Sequence, residues 1–151
     1  MTMSTDTDIQ EYMPDLYDYG IQDFSADHAK TREDILRRLR IEWWPKFRSW
    51  STDITIAGLP GARGEMDETL ITESQFTRAA VFHVLAYYIL PKLMKFDPEG
   101  DRFENMMKHY KSRFDEEFDL ILRDGVEYDV NDDGTIDSGE KSATHYMRLV
   151  R

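Results

Sequence analysis

The chain has 151 residues and a formal net charge of −11 at pH 7, with 30 Asp and Glu against 19 Lys and Arg. This charge argues against a protein that binds DNA electrostatically, because such binding sets Lys and Arg against phosphates. The sequence contains no cysteine, which excludes disulfides and thiolate metal sites and fits a reducing compartment. Hydrophobic residues make up 40% of the chain, enough to predict one folded domain over residues 1–151.

Two features predict a soluble protein. The first twelve residues lack the basic and apolar regions of a secretion signal, so no signal is expected. The longest apolar run, residues 79–90, is shorter than a membrane span and contains His83. We therefore expect no membrane partner.

Residues 1–24 are predicted to form an acidic N-terminal arm, because they contain turn-forming residues and no sustained period. Residues 1–29 hold seven acids and no Lys or Arg, whereas residues 30–48 hold seven bases against three acids. This asymmetry favours contact between the two segments, within one chain or between neighbouring copies. The alternative is that both are solvated faces.

Three periodic segments predict helices over residues 25–44, 72–94 and 101–124. The fold class is therefore all-α, a small bundle of three main helices that forms the helical body, residues 25–124. Residues 49–71 lack helical period and are predicted to form a hairpin or simply a long loop within that body.

The ends of the first two helices carry specific signals. Pro45 is expected to end the first helix near Trp44. The second helix opens with a capping-box pattern, in which Thr72 bonds a backbone amide and the side chain of Gln75 bonds back to Thr72. This second helix is apolar on nearly every face, which is typical of a helix inside a bundle or between subunits.

The segment WWPKFRSW, residues 43–50, is rich in Trp and Arg. This composition is typical of hot spots in protein interfaces, so we predict that copies or partners assemble through this segment and the second helix. The alternative is that these Trp pack in the chain's own core. The candidate interface residues are Trp43, Trp44, Phe47, Arg48 and Trp50.

The segment DVNDDGTIDSGE, residues 129–140, has the length and spacing of the calcium loop of an EF-hand. Calcium takes six to eight oxygen ligands, and such a loop supplies them from fixed positions. Gly134 falls at the sixth position, where the chain turns with positive φ, and Ile136 falls at the eighth, where an apolar residue anchors the loop. The alternative is an acidic turn that matches by chance. The predicted ligands are Asp129, Asn131, Asp133, Thr135 through its carbonyl, Asp137 through water, and Glu140.

We predict that calcium here is structural and fixes the direction of the C-terminal tail, within residues 125–151. The tail mixes basic and apolar residues, which suits docking on a partner. The candidate docking residues are Tyr146, Met147, Arg148, Leu149, Val150 and Arg151. A small calcium-binding regulatory or sensor protein is the alternative function, although sensors usually have a helix on each side and a paired second loop, which the sequence does not contain.

The sequence carries no catalytic motif that we identify. It lacks a Gly-rich phosphate loop, GxSxG and HExxH, and its four histidines are scattered. His83, on the apolar second helix, is predicted to be a core or interface residue and not a base. We predict that the protein is not an enzyme; an enzyme with an unrecognised site is the third interpretation.

The ending DGVEYDVNDDGTIDSGEKSATHYMRLVR resembles that of small head–tail connector (adaptor, or head-completion) proteins of tailed bacteriophages. That group carries a YD…DGTI…EK…RL.R ending, preceded by a helix pair of the ESQF…YILPKL…FE.MM..Y..RF..EF type. Residues 72–124 and 125–151 carry the resemblance, about half of the chain. The calcium loop is a departure, because not all connectors carry it.

The resemblance implies a mostly helical structural subunit that forms a ring, of twelve copies in this family, beneath the portal protein. It implies that the C-terminal segment docks on the portal, that a downstream neck or tail protein binds the ring, and that DNA passes through without specific binding. It places the protein in the neck of the virion after synthesis in the host cytoplasm. An acidic surface suits such a conduit, because DNA must not adhere to it.

Overall fold

The computed structural model describes residues 2–21, 23–50, 65–94 and 101–142, without the side chains of 48–50 and 142. The described chain is mostly helical, which confirms the predicted all-α class. The helices are α1 (Asp6–Tyr12), α2 (Ser25–Glu42), α3 (Trp44–Trp50), α4 (Thr77–Val84), α5 (Leu90–Leu93) and α6 (Arg102–Asp124). The other elements are strands β1 (Val126–Glu127) and β2 (Lys141–Ser142), 3₁₀ turns Leu16–Tyr19, Glu68–Leu70 and Glu73–Phe76, and the π-helical turn Leu85–Ile89.

Prolines account for two interruptions of the predicted helices. The first predicted helix ends at Glu42, and Pro45 lies in the first turn of α3, where its missing N–H is not needed. The second is divided by the π-helical turn, directly before Pro91 in α5. Proline cannot donate to the carbonyl four residues earlier, and a wider turn accommodates that loss. The third helix agrees with its prediction to within one residue.

The predicted capping box at the start of the second helix is wrong. The side chain of Gln75 does not return to Thr72: its amide donates to the carbonyl of Gly125 at 2.7 Å, and its oxygen accepts from the N–H of Glu127 at 3.1 Å. The segment begins instead as the 3₁₀ turn Glu73–Phe76. Gln75 thus satisfies backbone groups on both sides of the start of β1.

The chain divides into two compact units, Met1–Ile35 with Phe76–Phe118 (unit 1) and Leu36–Gln75 with Asp119–Arg151 (unit 2). Of the three boundaries between them, one falls within α2, one within the 3₁₀ turn Glu73–Phe76 and one within α6.

In unit 1 the N-terminal segment is part of the core, which corrects the prediction of an arm. It begins α1 with the side chain of Asp8 accepting from the N–H of Thr5 at 2.7 Å. Four of its apolar side chains, those of Ile9, Met13, Leu16 and Phe24, are 0–2% exposed because they pack on the second predicted helix. The cluster consists of Ile9, Met13, Leu16, Phe24, Val81, Val84, Leu85, Ile89 and Leu90.

Polar contacts also fasten this segment within unit 1. Ser4 Oγ lies 2.7 Å from His28 Nδ1, and His28 Nε2 lies 2.9 Å from Asp6 Oδ1. Ser4 and His28 are both buried, so this trio ties the segment to α2 and offers no accessible nucleophile. The acids of residues 1–29 also pair with Lys30, Lys92 and Arg102, of which Lys30 belongs to the basic stretch 30–48.

Candidate metal centre

The predicted calcium loop, residues 129–140, is framed by two short strands of unit 2. In the antiparallel pairing of β1 with β2, Val126 lies opposite Ser142 and Glu127 lies opposite Lys141. The N–H of Tyr128 continues the pairing by donating to the carbonyl of Glu140 at 3.2 Å. The chain therefore leaves α6, makes a hairpin and returns as a strand, which differs from the helix–loop–helix of a calcium sensor.

The first and last carboxylates of the loop close it from both ends. Asp129 and Glu140 are 8% and 7% exposed. Asp129 accepts from the N–H of Gly134 at 2.8 Å and from that of Asp133 at 3.2 Å. Glu140 accepts from the N–H of Val130 at 2.9 Å through one oxygen and from that of Asp137, also at 2.9 Å, through the other. Carboxylates bonded to several amides are held in a fixed direction.

Short turns shape the middle of the loop. Asn131 accepts from the N–H of Asp133 at 3.1 Å, and Asp133 accepts from the hydroxyl and the N–H of Thr135 at 2.6 and 2.8 Å. The Thr135 hydroxyl, followed by its N–H, holds the pKa of the Asp133 carboxyl below its ordinary value. Gly134 has φ of +80°, the left-handed conformation expected for the sixth position.

The donors of the loop fit a hard cation by chemistry, since they are carboxylate, amide and carbonyl oxygens. Their side chains do not converge on one point. Among the described residues, no group of three or more His, Cys, Asp and Glu side chains lies close enough to hold a metal ion. The carboxylates of Asp129 and Glu140 bond backbone amides instead. The ligand set of Asp129, Asn131, Asp133, Thr135, Asp137 and Glu140 accordingly stays a prediction.

Residues 70–72, around the end of the predicted long loop, contact the predicted calcium loop at residues 129–140. The N–H of Asp129 donates to the carbonyl of Leu70 at 2.9 Å, and that of Thr72 donates to the carbonyl of Glu127 at 3.2 Å. Ile71 and Tyr128 form an antiparallel bridge between these contacts. Residues 70–72 thus run beside β1, and a displacement of the loop would strain this segment.

An aromatic cluster of unit 2 adjoins Asp129, the first predicted ligand. The ring of Tyr128 lies 5.6 Å from Trp43, 5.4 Å from Trp44 and 5.5 Å from Phe47, centroid to centroid. All four side chains are buried, at 6% exposure or less. Trp43, Trp44 and Phe47 were candidate interface residues, and their place is in the chain's own core, as in the alternative interpretation. The side chains of the other two candidates, Arg48 and Trp50, lie outside the described residues.

Tyr128, the centre of this cluster, was not among the residues predicted from the sequence. Its hydroxyl accepts from the N–H of Asp67 at 3.2 Å. Burial raises the pKa of Tyr128 above its ordinary value. An aromatic residue directly before the predicted calcium loop was the available signal, but its partners are more than 50 residues away in sequence.

Other predicted functional residues are placed as follows. The docking residues Tyr146 to Arg151 lie outside the described part of the chain. His83 is buried, with Nδ1 3.3 Å from the hydroxyl of Thr31 and its ring stacked on Tyr87 at 4.5 Å, consistent with the predicted core position.

No family model, curated protein or solved structure matches the chain. Among the described residues, none of the helices combines the length and the apolar character needed to cross a membrane.

Proposed function

We propose that the protein is a structural subunit of a phage head–tail connector, in which a calcium ion at residues 129–140 fixes the direction of the C-terminal tail. The proposal has the subunit form a ring beneath the portal protein and dock on it through residues 146–151. The support for the connector is the resemblance of residues 72–124 and 125–151, with which the helical fold is compatible. The chain has no enzymatic role in this proposal.

We call the proposed fixing of the tail by calcium the clip. The hairpin around the loop is the observation that supports it. The buried carboxylates of Asp129 and Glu140 bond amides across the loop, while β1 and β2 join its ends. A loop held in this way has little freedom to transmit a large opening, so it favours a fixed clip over a switch. A cation would offset the acidic charge of the loop and reduce the ordering entropy that the tail loses on docking.

Calcium titration followed by amide hydrogen exchange tests the clip. We expect Glu140→Gln to weaken calcium binding by about tenfold or more, because it removes a charged bidentate ligand. Exchange over residues 125–151 should then become faster and insensitive to calcium, while the helical body keeps its melting behaviour. The matched control is Asp132→Asn, a non-ligand position of the same loop with φ of +55°, which Asn tolerates.

Two outcomes would contradict the clip. The clip is contradicted if amide exchange in the tail of the native chain responds neither to calcium nor to a chelator. Calcium-dependent rearrangement of α4 and α6 instead would favour the alternative, a calcium sensor.

The connector itself is tested with the cognate portal protein. Native mass measurement and negative-stain images of the mixture should contain rings of this chain on the portal. A chain that stays monomeric and unattached in the presence of portal contradicts the connector.

A further inference from the structure

Two helix faces, one on α2 and one on α6, expose large apolar side chains. Ile41 on α2 is 69% exposed and Leu120 on α6 is 56% exposed, the highest values among the large hydrophobic side chains of the described residues. A single exposed apolar side chain is ordinary. These two side chains differ from an ordinary exposed residue because the charges around Ile41 and around Leu120 have opposite sign.

The surroundings of Ile41 are basic. Residues 37–46 hold four bases against one acid in a chain whose net charge is −11; of these bases, Arg38 pairs with Glu42 and Arg40 with Glu68. Arg37 is exposed and lies one helical turn before Ile41, on the side of α2 opposite the buried Leu39 and Trp43. Arg37 and Ile41 are called the basic face.

The surroundings of Leu120 are acidic. Residues 115–124 hold five acids against one base. Glu116, Leu120 and Asp124 follow each other at intervals of four along α6, so they form one stripe, and their side chains are 58%, 56% and 69% exposed. These three residues are called the acidic face.

We infer that the basic face of one copy of this chain docks on the acidic face of the next. Each face pairs an exposed aliphatic side chain with charge, and the same chain supplies both complementary halves. Because the two faces differ, the contact is heterologous and repeats from copy to copy, closing into a ring where the rotation permits. The expectation of a closed ring rests on the proposed function; the contact between copies does not.

The acidic face has partners within the chain that an incoming copy must compete with. Glu116 accepts from Arg113 at 3.1 Å, and Asp124 lies 2.8 Å from the ammonium of Lys141. Exposed pairs of this kind contribute little to stability, so Arg37 of a neighbour can share these carboxylates. Removal of Ile41 and Leu120 from water adds the favourable apolar term.

Sedimentation velocity at low and high salt gives the first test. The native chain should form species larger than a monomer at low ionic strength and shift toward monomer at high ionic strength, since exposed charges are screened. Native chain that is monomeric in both conditions, at every concentration up to the solubility limit, overturns the inference.

Two variants test which faces meet. Arg37→Glu with Ile41→Glu removes the basic face, and Leu120→Lys removes the acidic face. Each variant alone should lose at least about tenfold in association constant. An equimolar mixture should form a one-to-one dimer that grows no further, because one functional face remains on each. The matched control, Lys108→Glu, changes an exposed base on α6 outside both faces and should associate as the native chain does.

The substituted positions are exposed, so circular dichroism melts should match the native chain. Variants that associate like the native chain, or a mixture that stays monomeric, overturn the proposed contact. Rings that form on the portal with native chain and equally with both variants would overturn this contact and leave the connector standing. Association through the two faces without any ring on the portal would have the opposite consequence.

Discussion

Units 1 and 2 are stabilised by different means. The core of unit 1 is a continuous apolar cluster that includes Ile9, Leu16 and Phe24 from the N-terminal segment. Unit 2 has four stacked and tilted rings and, beside them, a polar hairpin loop closed by carboxylate–amide hydrogen bonds. Apolar burial is spread over many side chains and has no direction, whereas rings and hydrogen bonds concentrate stability in a few groups. Single substitutions should therefore have different effects on stability in the two units.

The largest effect is expected for Trp43→Ala in unit 2. Trp43 is 0% exposed and stacks on Phe47 at 4.7 Å, so its removal leaves a large cavity among the remaining rings. Substitutions of this type cost about 3–5 kcal/mol in the free energy of unfolding. Guanidinium denaturation measures the loss. The control is Ile41→Ala, at an exposed position two residues earlier, which should change the free energy of unfolding by no more than about 0.5 kcal/mol. Full stability in Trp43→Ala would place this side chain outside the core.

Ile9→Ala tests whether the N-terminal segment belongs to the core of unit 1. Ile9 is 0% exposed, so the substitution should cost about 2–5 kcal/mol. The control is Gln10→Ala, the next and exposed residue of α1, which should change the free energy of unfolding by no more than about 0.5 kcal/mol. Equal, small effects of the two substitutions would restore the original prediction of a solvated arm.

The N-terminal segment also indicates what a single sequence conveys. Long periodic helices were predictable, because α6 repeats its apolar positions over many turns. The seven-residue α1 and its C-cap have only Ile9 and Met13 in one register, too few to establish a period. A pattern for its start was nevertheless present, since Thr5 and Asp8 have the spacing of a capping box.

Gln75 is the opposite case: the local sequence has the spacing of a capping box, but the hydrogen bond predicted from that spacing does not form. Thr72 and Gln75 have capping-box spacing, but the groups that Gln75 satisfies belong to Gly125 and Glu127. Those partners are about 50 residues away, and nothing in the local sequence identifies them. The loop spacing of residues 129–140 was readable because all its positions lie within twelve residues, whereas its attachment to residues 70–72 was not.

Gln75→Ala should have an intermediate effect confined to unit 2. The substitution leaves the carbonyl of Gly125 and the N–H of Glu127 without this side chain, at a cost of about 1–3 kcal/mol. We expect faster amide exchange at residues 126–128 and 141, because β1 loses its support. Ser74→Ala, the exposed neighbour, is the control. Unchanged exchange at β1 in Gln75→Ala would mean that the strand pairing alone holds the hairpin.

The smallest effect concerns alkaline pH and Tyr128. Burial raises the pKa of its hydroxyl above the ordinary 10.0, so the folded chain holds the proton more tightly than the unfolded chain. The stability that this difference contributes is complete below pH 10 and is lost as the pH rises through the folded pKa.

Tyr128→Phe removes the hydroxyl that accepts from Asp67, which should cost about 0.5–1.5 kcal/mol at pH 7. Above pH 10 the native chain should lose stability faster than the variant, so the gap between them narrows. Tyr17, Tyr19 and Tyr110 also have raised pKa values, but they are present in both chains and cancel in the difference. Urea denaturation of both chains between pH 7 and 11 measures the gap. A gap that stays constant over this range would mean that Tyr128 ionises alike in the folded and unfolded chain, and that the aromatic cluster of unit 2 admits water.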